Sequence, residues 1–174
     1  SLRPRGRLAD TEVMTPIAAV EAHALRKSFP TPDADPIEIL HGVSCAIGAG
    51  EMTALVGPSG SGKSTTLLCL AGLEPATSGR VTLMGRDLAA LSPARVAELY
   101  RDQVGFVFQA YNLVPYLSVR ENIAVSDVLA GRRPDLARVR EVLASLGLGA
   151  RANAVTATLS GGEQQRAALG RVLY

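Results

Sequence analysis

The residues best suited to chemistry form a glycine-rich run that ends in a lysine and two hydroxyl residues. The run is Gly57-Pro58-Ser59-Gly60-Ser61-Gly62-Lys63-Ser64-Thr65. It fits G-x-x-x-x-G-K-[ST], the pattern of the phosphate-binding P-loop. Glycines let the backbone turn and direct N–H groups at phosphate oxygens, and a following helix N-terminus adds positive partial charge. We expect Lys63 to contact the β- and γ-phosphates of a nucleotide and the Ser64 hydroxyl to bind Mg²⁺. The alternative is a glycine-rich turn that binds nothing.

A second motif begins a helical run that continues through Leu169. Its residues are Leu159-Ser160-Gly161-Gly162-Glu163-Gln164-Gln165-Arg166. Ser160 and Glu163 can form a capping box, so a simple helix start is one interpretation. Downstream of a P-loop, the octet resembles the signature sequence of the ATP-binding-cassette (ABC) ATPases. The resemblance implies that Ser160, Gly161, Gly162 and Glu163 act on the nucleotide that the P-loop of a partner subunit holds.

Two further residues extend the resemblance. Gln109 ends the apolar run 104–108, where the family has its Q-loop, and the resemblance implies contact with Mg²⁺ or with the attacking water. The alternative is a solvent-facing glutamine at a strand end. Phe29 stands where the family places an aromatic residue, more often tyrosine, that stacks on adenine. Phenylalanine offers the same π-face, and the alternative is a core phenylalanine.

Less specific residues favour one branch of the family. The segments 87–92, 100–109, 113–115 and 118–123 resemble the branch that powers lipoprotein release, macrolide efflux and resistance to antimicrobial peptides. The resemblance covers about residues 19–174. It implies ATP and Mg²⁺ as cofactors, a second ATP-binding subunit in a head-to-tail dimer, and an integral membrane permease that couples hydrolysis to transport. Docking is expected near Tyr111 to Tyr116, whose neighbours Leu113, Val114 and Leu117 can alternatively be core. The implied location is cytoplasmic, on the inner face of the plasma membrane.

The elements that position these residues indicate an α/β fold. The apolar run 53–56 predicts a buried strand before the P-loop, and 66–71 predicts a helix after it. Residues 18–29 and 37–47 are expected to be strands, separated by a proline-rich loop. The resemblance implies a P-loop NTPase (RecA-like) core, an N-terminal antiparallel β-subdomain, an inserted α-helical subdomain and an incomplete parallel sheet. The expected boundaries are a flexible tail at 1–16 and a domain at 17–174, with its core at about 17–109 and 159–174 and the helical subdomain at about 110–158.

Three helices are predicted from caps and apolar spacing. Ser92 and Pro93 predict a helix through residue 100. Ser118 and Glu121 predict a helix through residue 130, and Gly131 to Pro134 should end it. Asp135 can cap a helix that reaches Leu146. Its predicted apolar side consists of Leu136, Val139, Leu143 and Leu146.

Composition agrees with one globular domain. The net charge of +2 gives no argument for nucleic acid. Cys45 and Cys69 have no metal-site spacing, so two buried, reduced thiols are expected. No apolar stretch approaches the roughly 18 residues of a membrane span. The three arginines near the N-terminus have no apolar core beside them, so the segment does not resemble a secretory signal.

The family's acidic strand end and its later histidine do not occur before Tyr174. In the family these groups hold Mg²⁺ and polarise the attacking water. The resemblance thus implies a chain truncated before the family's acidic strand, called Walker B. We therefore expect the 174 residues alone to hydrolyse ATP negligibly. We also expect them to leave an unpaired, aggregation-prone sheet edge. Two other functions stay open: a non-catalytic nucleotide-binding fragment, and a soluble ABC ATPase that acts on DNA or ribosomes.

Overall fold

The computed structural model describes residues 18–32 and 34–174. The tail predicted for residues 1–16 lies outside the described residues. The described chain divides into two compact units, one that ends at Val96 and one that comprises Ala97–Tyr174.

An antiparallel sheet organises the first unit. Its strands are β1 (Ala18–Phe29), β2 (Ile37–Gly48), β3 (Ser78–Leu83) and β4 (Arg86–Asp87), in the order β2-β1-β3-β4. At the centre of the sheet, Ala22 pairs with Cys45 on one side and with Val81 on the other. The two long strands and their antiparallel pairing are as predicted.

The core of the first unit lies between this sheet and helix α1 (Lys63–Ala71). Cys69 and Leu70 of the helix pack with Leu25, Leu40 and Val81 of the strands, and all five are buried. Burial of each large aliphatic side chain contributes about 1.5–3 kcal/mol. This packing holds α1 against the sheet.

Two predicted strands are absent from the described residues. The run 53–56 has no strand pairing and is exposed, with Val56 84% accessible. The run 104–108 likewise has no strand assignment, although Val104 and Phe106 are half-buried. A strand of a parallel sheet needs hydrogen-bond partners on its neighbours, and no described strand pairs with either run. The predicted strand before the P-loop is therefore wrong for this structure, as is the strand before Gln109.

Helix α2 (Pro93–Asp102) begins as predicted, with Pro93 at its first position. The Ser92 hydroxyl accepts a hydrogen bond from the Arg95 N–H at 3.4 Å. A short 3₁₀ turn over Leu88–Ala90 precedes it, and the Asp87 carboxylate caps that turn by accepting from the Ala89 N–H.

Four helices lie wholly within the second unit, which also includes residues 97–102 of α2. They are α3 (Val119–Ile123), α4 (Val125–Leu129), α5 (Leu136–Ser145) and α6 (Gly161–Leu173), with 3₁₀ turns at Gly149–Arg151 and Thr156–Thr158. Their core contains Ile123, Val139, Leu143, Leu148 and Ala167. The capping boxes at the starts of α3 and α6 are both present. The Asp135 carboxylate caps α5 by accepting from two backbone N–H groups.

Two helix predictions in this unit need correction. The helix expected from Ser118 through residue 130 is broken at Ala124, whose ψ of 10° is not helical. Val128 and Leu129 beyond the break are 60% and 83% exposed, so the core contacts that hold α3 do not continue into α4. In α5, the buried residues are Val139, Val142 and Leu143. Leu136, which was predicted to lie on the buried side, is in the first turn of the helix and is exposed.

Both cysteines are free, as predicted, and Cys69 is buried. Cys45 is only half-buried, because it lies on an edge strand of the described sheet. Within the described residues, no helix has the length and apolarity needed to cross a bilayer.

Candidate functional site

The glycine-rich loop turns directly into α1. Gly60 and Gly62 have φ angles of 79° and 83°, the left-handed region that favours glycine. A β-carbon on Gly62 would lie 2.9 Å from Leu40 Cδ2, so this glycine also permits the close approach of the loop to β2. A β-carbon on Gly60 would meet nothing within 4 Å. The loop is therefore pressed against the sheet at Gly62 and open to solvent at Gly60.

The start of α1 offers unpaired backbone donors. The first helical bond runs from the Thr66 N–H to the Gly62 carbonyl at 2.8 Å. The N–H groups of the first helical turn, from Lys63 to Thr65, have no intrahelical acceptor, as at any helix start. Together with the positive end of the helix dipole, they favour an anion at this position.

Lys63 lies across the loop that it ends. Its ammonium donates to the carbonyl oxygens of Gly57 at 2.9 Å and Pro58 at 2.6 Å. These are carbonyl dipoles and not a carboxylate, so the positive charge of Lys63 is solvated but not neutralised. The donor set of this loop, an ammonium above a glycine-rich backbone, fits a polyphosphate.

The hydroxyl residues after Lys63 have different surroundings. Ser64 is exposed and Thr65 is half-buried, so the Ser64 hydroxyl is accessible to a cation beside a bound phosphate. Thr66 is buried and its hydroxyl donates to the Gly62 carbonyl at 2.9 Å. A cavity of about 430 Å³ lies between this loop and residues 39–43 of β2.

Phe29 ends β1, with 38% of its surface exposed. Its ring centroid is 4.7 Å from the Lys27 ammonium. Lys27 belongs to none of the sequence motifs. The available signal is its place two residues before Phe29, because alternate residues of a strand share one face.

In the second unit, Ser160 caps α6. The Glu163 carboxylate accepts from the Ser160 N–H and hydroxyl, each at 2.9 Å, and from Arg151 Nε at 2.9 Å. The hydrogen bond from the Ser160 N–H is the largest of three that together lower the pKa of Glu163 to about 2. Gly161 is open, since a β-carbon there would meet nothing within 4 Å. The helix start thus presents small, exposed residues beside a fixed negative charge.

Gln109 is exposed and lies in a turn, not at the end of a strand. The Tyr111 N–H closes this turn by donating to the Phe108 carbonyl at 2.9 Å. Tyr111 and Asn112 then adopt positive φ angles of 62° and 48°. Gln109 and the signature residues belong to the second unit, and the P-loop and Phe29 belong to the first.

The segment after Gln109 is partly core and partly surface. Leu113 packs against the core of the second unit, and Leu117 is half-buried. Tyr116 is 87% exposed and Val114 is 38% exposed. Leu113 is therefore part of the core, whereas Val114 and Tyr116 lie at the surface.

Comparison with known families decides the classification. The family described as "ABC transporter" matches residues 40–174, which include the P-loop, Gln109 and the signature residues. The chain belongs to the ABC transporter family. Membership implies a nucleotide-binding cassette, typically one that uses Mg²⁺, and the loop geometry described above fits that ligand.

Macrolide export proteins are among the curated relatives of this chain. The chain is 45% identical over 162 residues to the macrolide export ATP-binding/permease protein MacB of Shigella flexneri. It is 44% identical over 162 residues to the MacB protein of Escherichia coli strain K12. Each match covers 92% of this chain and 24% of the relative, so the chain spans about a quarter of the length of these relatives.

Solved ABC cassettes share the fold. The dimer of the ATP-binding cassette MJ0796 in a post-hydrolysis state, bound to ADP and Pi, matches with a TM-score of 0.80 and 33% identity. A second dimeric structure of MJ0796, described as a bacterial ABC transporter cassette, matches with a TM-score of 0.78 and 32% identity. Both cover 88% of this chain and 68% of the solved chain. The predicted ABC ATPase fold is confirmed, and the macrolide-export relatives fall within the predicted branch of the family.

Proposed function

We propose that this chain binds Mg-ATP and, within its complete protein, couples ATP hydrolysis to transport through a membrane permease. The observation that carries the proposal is the Lys63 ammonium held against the Gly57 and Pro58 carbonyls, above a glycine-rich backbone at a helix start. Lys63 would exchange these two carbonyls for the β- and γ-phosphate oxygens. The backbone N–H groups at the start of α1 would hold the same phosphates.

Each remaining site residue has a separate role in this proposal. The Ser64 hydroxyl and the Gln109 amide oxygen would bind Mg²⁺, which neutralises phosphate charge when it is bound. Phe29 would stack on the adenine. These roles use residues of both units.

The signature residues serve a second subunit in this proposal. Ser160, Gly161 and Gly162 would cover the γ-phosphate held by the P-loop of a facing cassette in a head-to-tail dimer. Their exposure supports this role, since a γ-phosphate can approach only an uncovered backbone. The dimeric form of the solved cassette relatives supports it as well.

Coupling to a permease is supported by the names of the macrolide-export relatives, which are ATP-binding/permease proteins. The exposed Tyr116 and Val114 supply apolar surface for contact with such a partner. The cassette would then lie on the cytoplasmic side of the plasma membrane. Co-purification of a membrane permease with the natural protein supports this function, whereas co-purification of ribosomes or DNA would favour a soluble ABC ATPase.

Nucleotide binding is tested with Lys63→Ala in the full-length protein. Titration calorimetry with Mg²⁺ and the non-hydrolysable analogue AMP-PNP should show at least about tenfold weaker binding, because a charge-assisted contact to phosphate is lost. Arg86→Ala is the matched control, since it removes one exposed positive charge from the same unit. Equal affinities of wild type and Lys63→Ala would contradict the proposal.

A further inference from the structure

Lys27 is a buried lysine with an exposed fraction of 7%. Its ammonium lies 2.5 Å from the Glu74 carboxylate and donates to the Pro75 carbonyl at 2.8 Å. The third group around it is the Phe29 ring, with its centroid at 4.7 Å. A buried cation is tolerated only where such partners replace water, so these three contacts determine where the ammonium lies.

The segment that holds Lys27 is itself tied to β1. The Thr77 N–H donates to the Arg26 carbonyl at 2.9 Å, and the Ser28 N–H donates to the Thr77 hydroxyl at 2.9 Å. Backbone groups on both sides of Lys27 are thus bonded to the segment that carries Glu74. The ammonium is thereby fixed against the ring and cannot swing freely into solvent.

We propose that Lys27 is a positioning residue for base recognition, which orients the Phe29 ring and strengthens its stacking on a purine. This inference rests on the proposed function, in which Phe29 stacks on adenine. Two stacked rings repel each other through their negative faces. A cation held against Phe29 offsets part of that repulsion, and the ring remains 38% exposed for a ligand.

A double-mutant cycle in the full-length protein tests this role, with Mg²⁺ and AMP-PNP as the probe. Lys27→Met should weaken binding by about three- to tenfold, the range of a partly desolvated cation–π contact. In a Phe29→Ala background, the same substitution should change affinity by less than about twofold, because the ring through which Lys27 acts is gone. Lys27→Arg, which keeps the cation, should restore most of the affinity.

A second variant covers the case in which Lys27→Met does not fold. Glu74→Gln keeps the ammonium but weakens the ion pair that fixes it, and should give a smaller loss that also vanishes when Phe29 is alanine. Equal losses with and without the Phe29 ring would overturn the positioning role, and so would no loss for either variant. If Phe29→Ala itself leaves the affinity unchanged, adenine does not stack on Phe29, and the role proposed for Lys27 is wrong as well. The Lys63 test of nucleotide binding does not depend on that result.

Discussion

Asn122 binds both backbone groups of Val114. Its Oδ1 accepts from the Val114 N–H at 2.8 Å, and its Nδ2 donates to the Val114 carbonyl at 3.0 Å. Asn122 is 0% exposed, and Thr156 donates to the same carbonyl at 2.8 Å. A buried side-chain amide therefore holds the segment that follows Gln109 against the core of the second unit.

Loss of this amide should destabilise the protein. Asn122→Ala leaves the Val114 N–H without its acceptor and removes one of the two donors to the Val114 carbonyl, so we expect a decrease of about 2 kcal/mol in the free energy of unfolding. Asn153→Ala, an exposed asparagine of the same unit, should stay within about 0.5 kcal/mol of wild type. Urea titrations measure both. Similar values for the two variants would show that the amide contributes little.

Two glycines with similar backbone angles should differ in their tolerance of alanine. Gly79 and Gly85 have φ angles of 89° and 74°. A β-carbon on Gly79 would lie 2.4 Å from the Ala24 carbonyl oxygen, while one on Gly85 would meet nothing within 4 Å. Gly85→Ala should cost about 1 kcal/mol for the left-handed angle alone, and Gly79→Ala about 3 kcal/mol because overpacking is added.

The same urea titrations decide between these two glycine effects. Equal losses for Gly79→Ala and Gly85→Ala would mean that the backbone angle is the whole effect. A loss at Gly79 that exceeds the loss at Gly85 would instead locate the cost in the contact between β3 and Ala24.

The two capping boxes allow the signature role to be separated from capping. Ser118→Ala and Ser160→Ala each remove a helix cap, so each should lower the stability by about 1 kcal/mol. Only Ser160 belongs to the proposed nucleotide contact. We therefore expect Ser160→Ala to lower ATP turnover of the full-length protein at least about tenfold and Ser118→Ala to leave it near wild type. Equal turnover in both variants would mean that Ser160 acts only as a helix cap and does not contact the nucleotide.

The carboxylate of Glu163 should titrate far below its ordinary value. Because its folded pKa is lowered from 4.5 to about 2, it stabilises the start of α6 above the unfolded pKa, and this contribution is lost as the pH falls through about 2. Carbon-13 NMR of the carboxyl group measures the midpoint. Arg151→Ala should raise it, since one of the hydrogen bonds to the carboxylate is lost. Arg138→Ala is the control, because Arg138 pairs with Glu141, and it should leave the midpoint of Glu163 unchanged. A midpoint near 4.5 in wild type would contradict the capping geometry.

Local chemistry explains which parts of the site could be predicted. Gly57 to Thr65 forms a loop followed by a helix because turn angles, helix start and Lys63 contacts all lie within a few residues. Ser160 and Glu163 form the predicted box for the same reason, since the bond spans three positions. The role of Lys27 was not predicted because its partner Glu74 lies far along the chain, and its place two residues before Phe29 is a weak local signal.

The sequence by itself determined the family, the glycine-rich turn into α1, the helix caps and the long antiparallel strands, since each depends on spacing within a short segment. Only the tertiary structure decided that residues 53–56 and 104–108 form no described strand, that Gln109 lies in an exposed turn, and that Asn122 is buried. Strand pairing and burial depend on groups supplied from distant parts of the chain. An apolar run carries no information about whether those groups are in place.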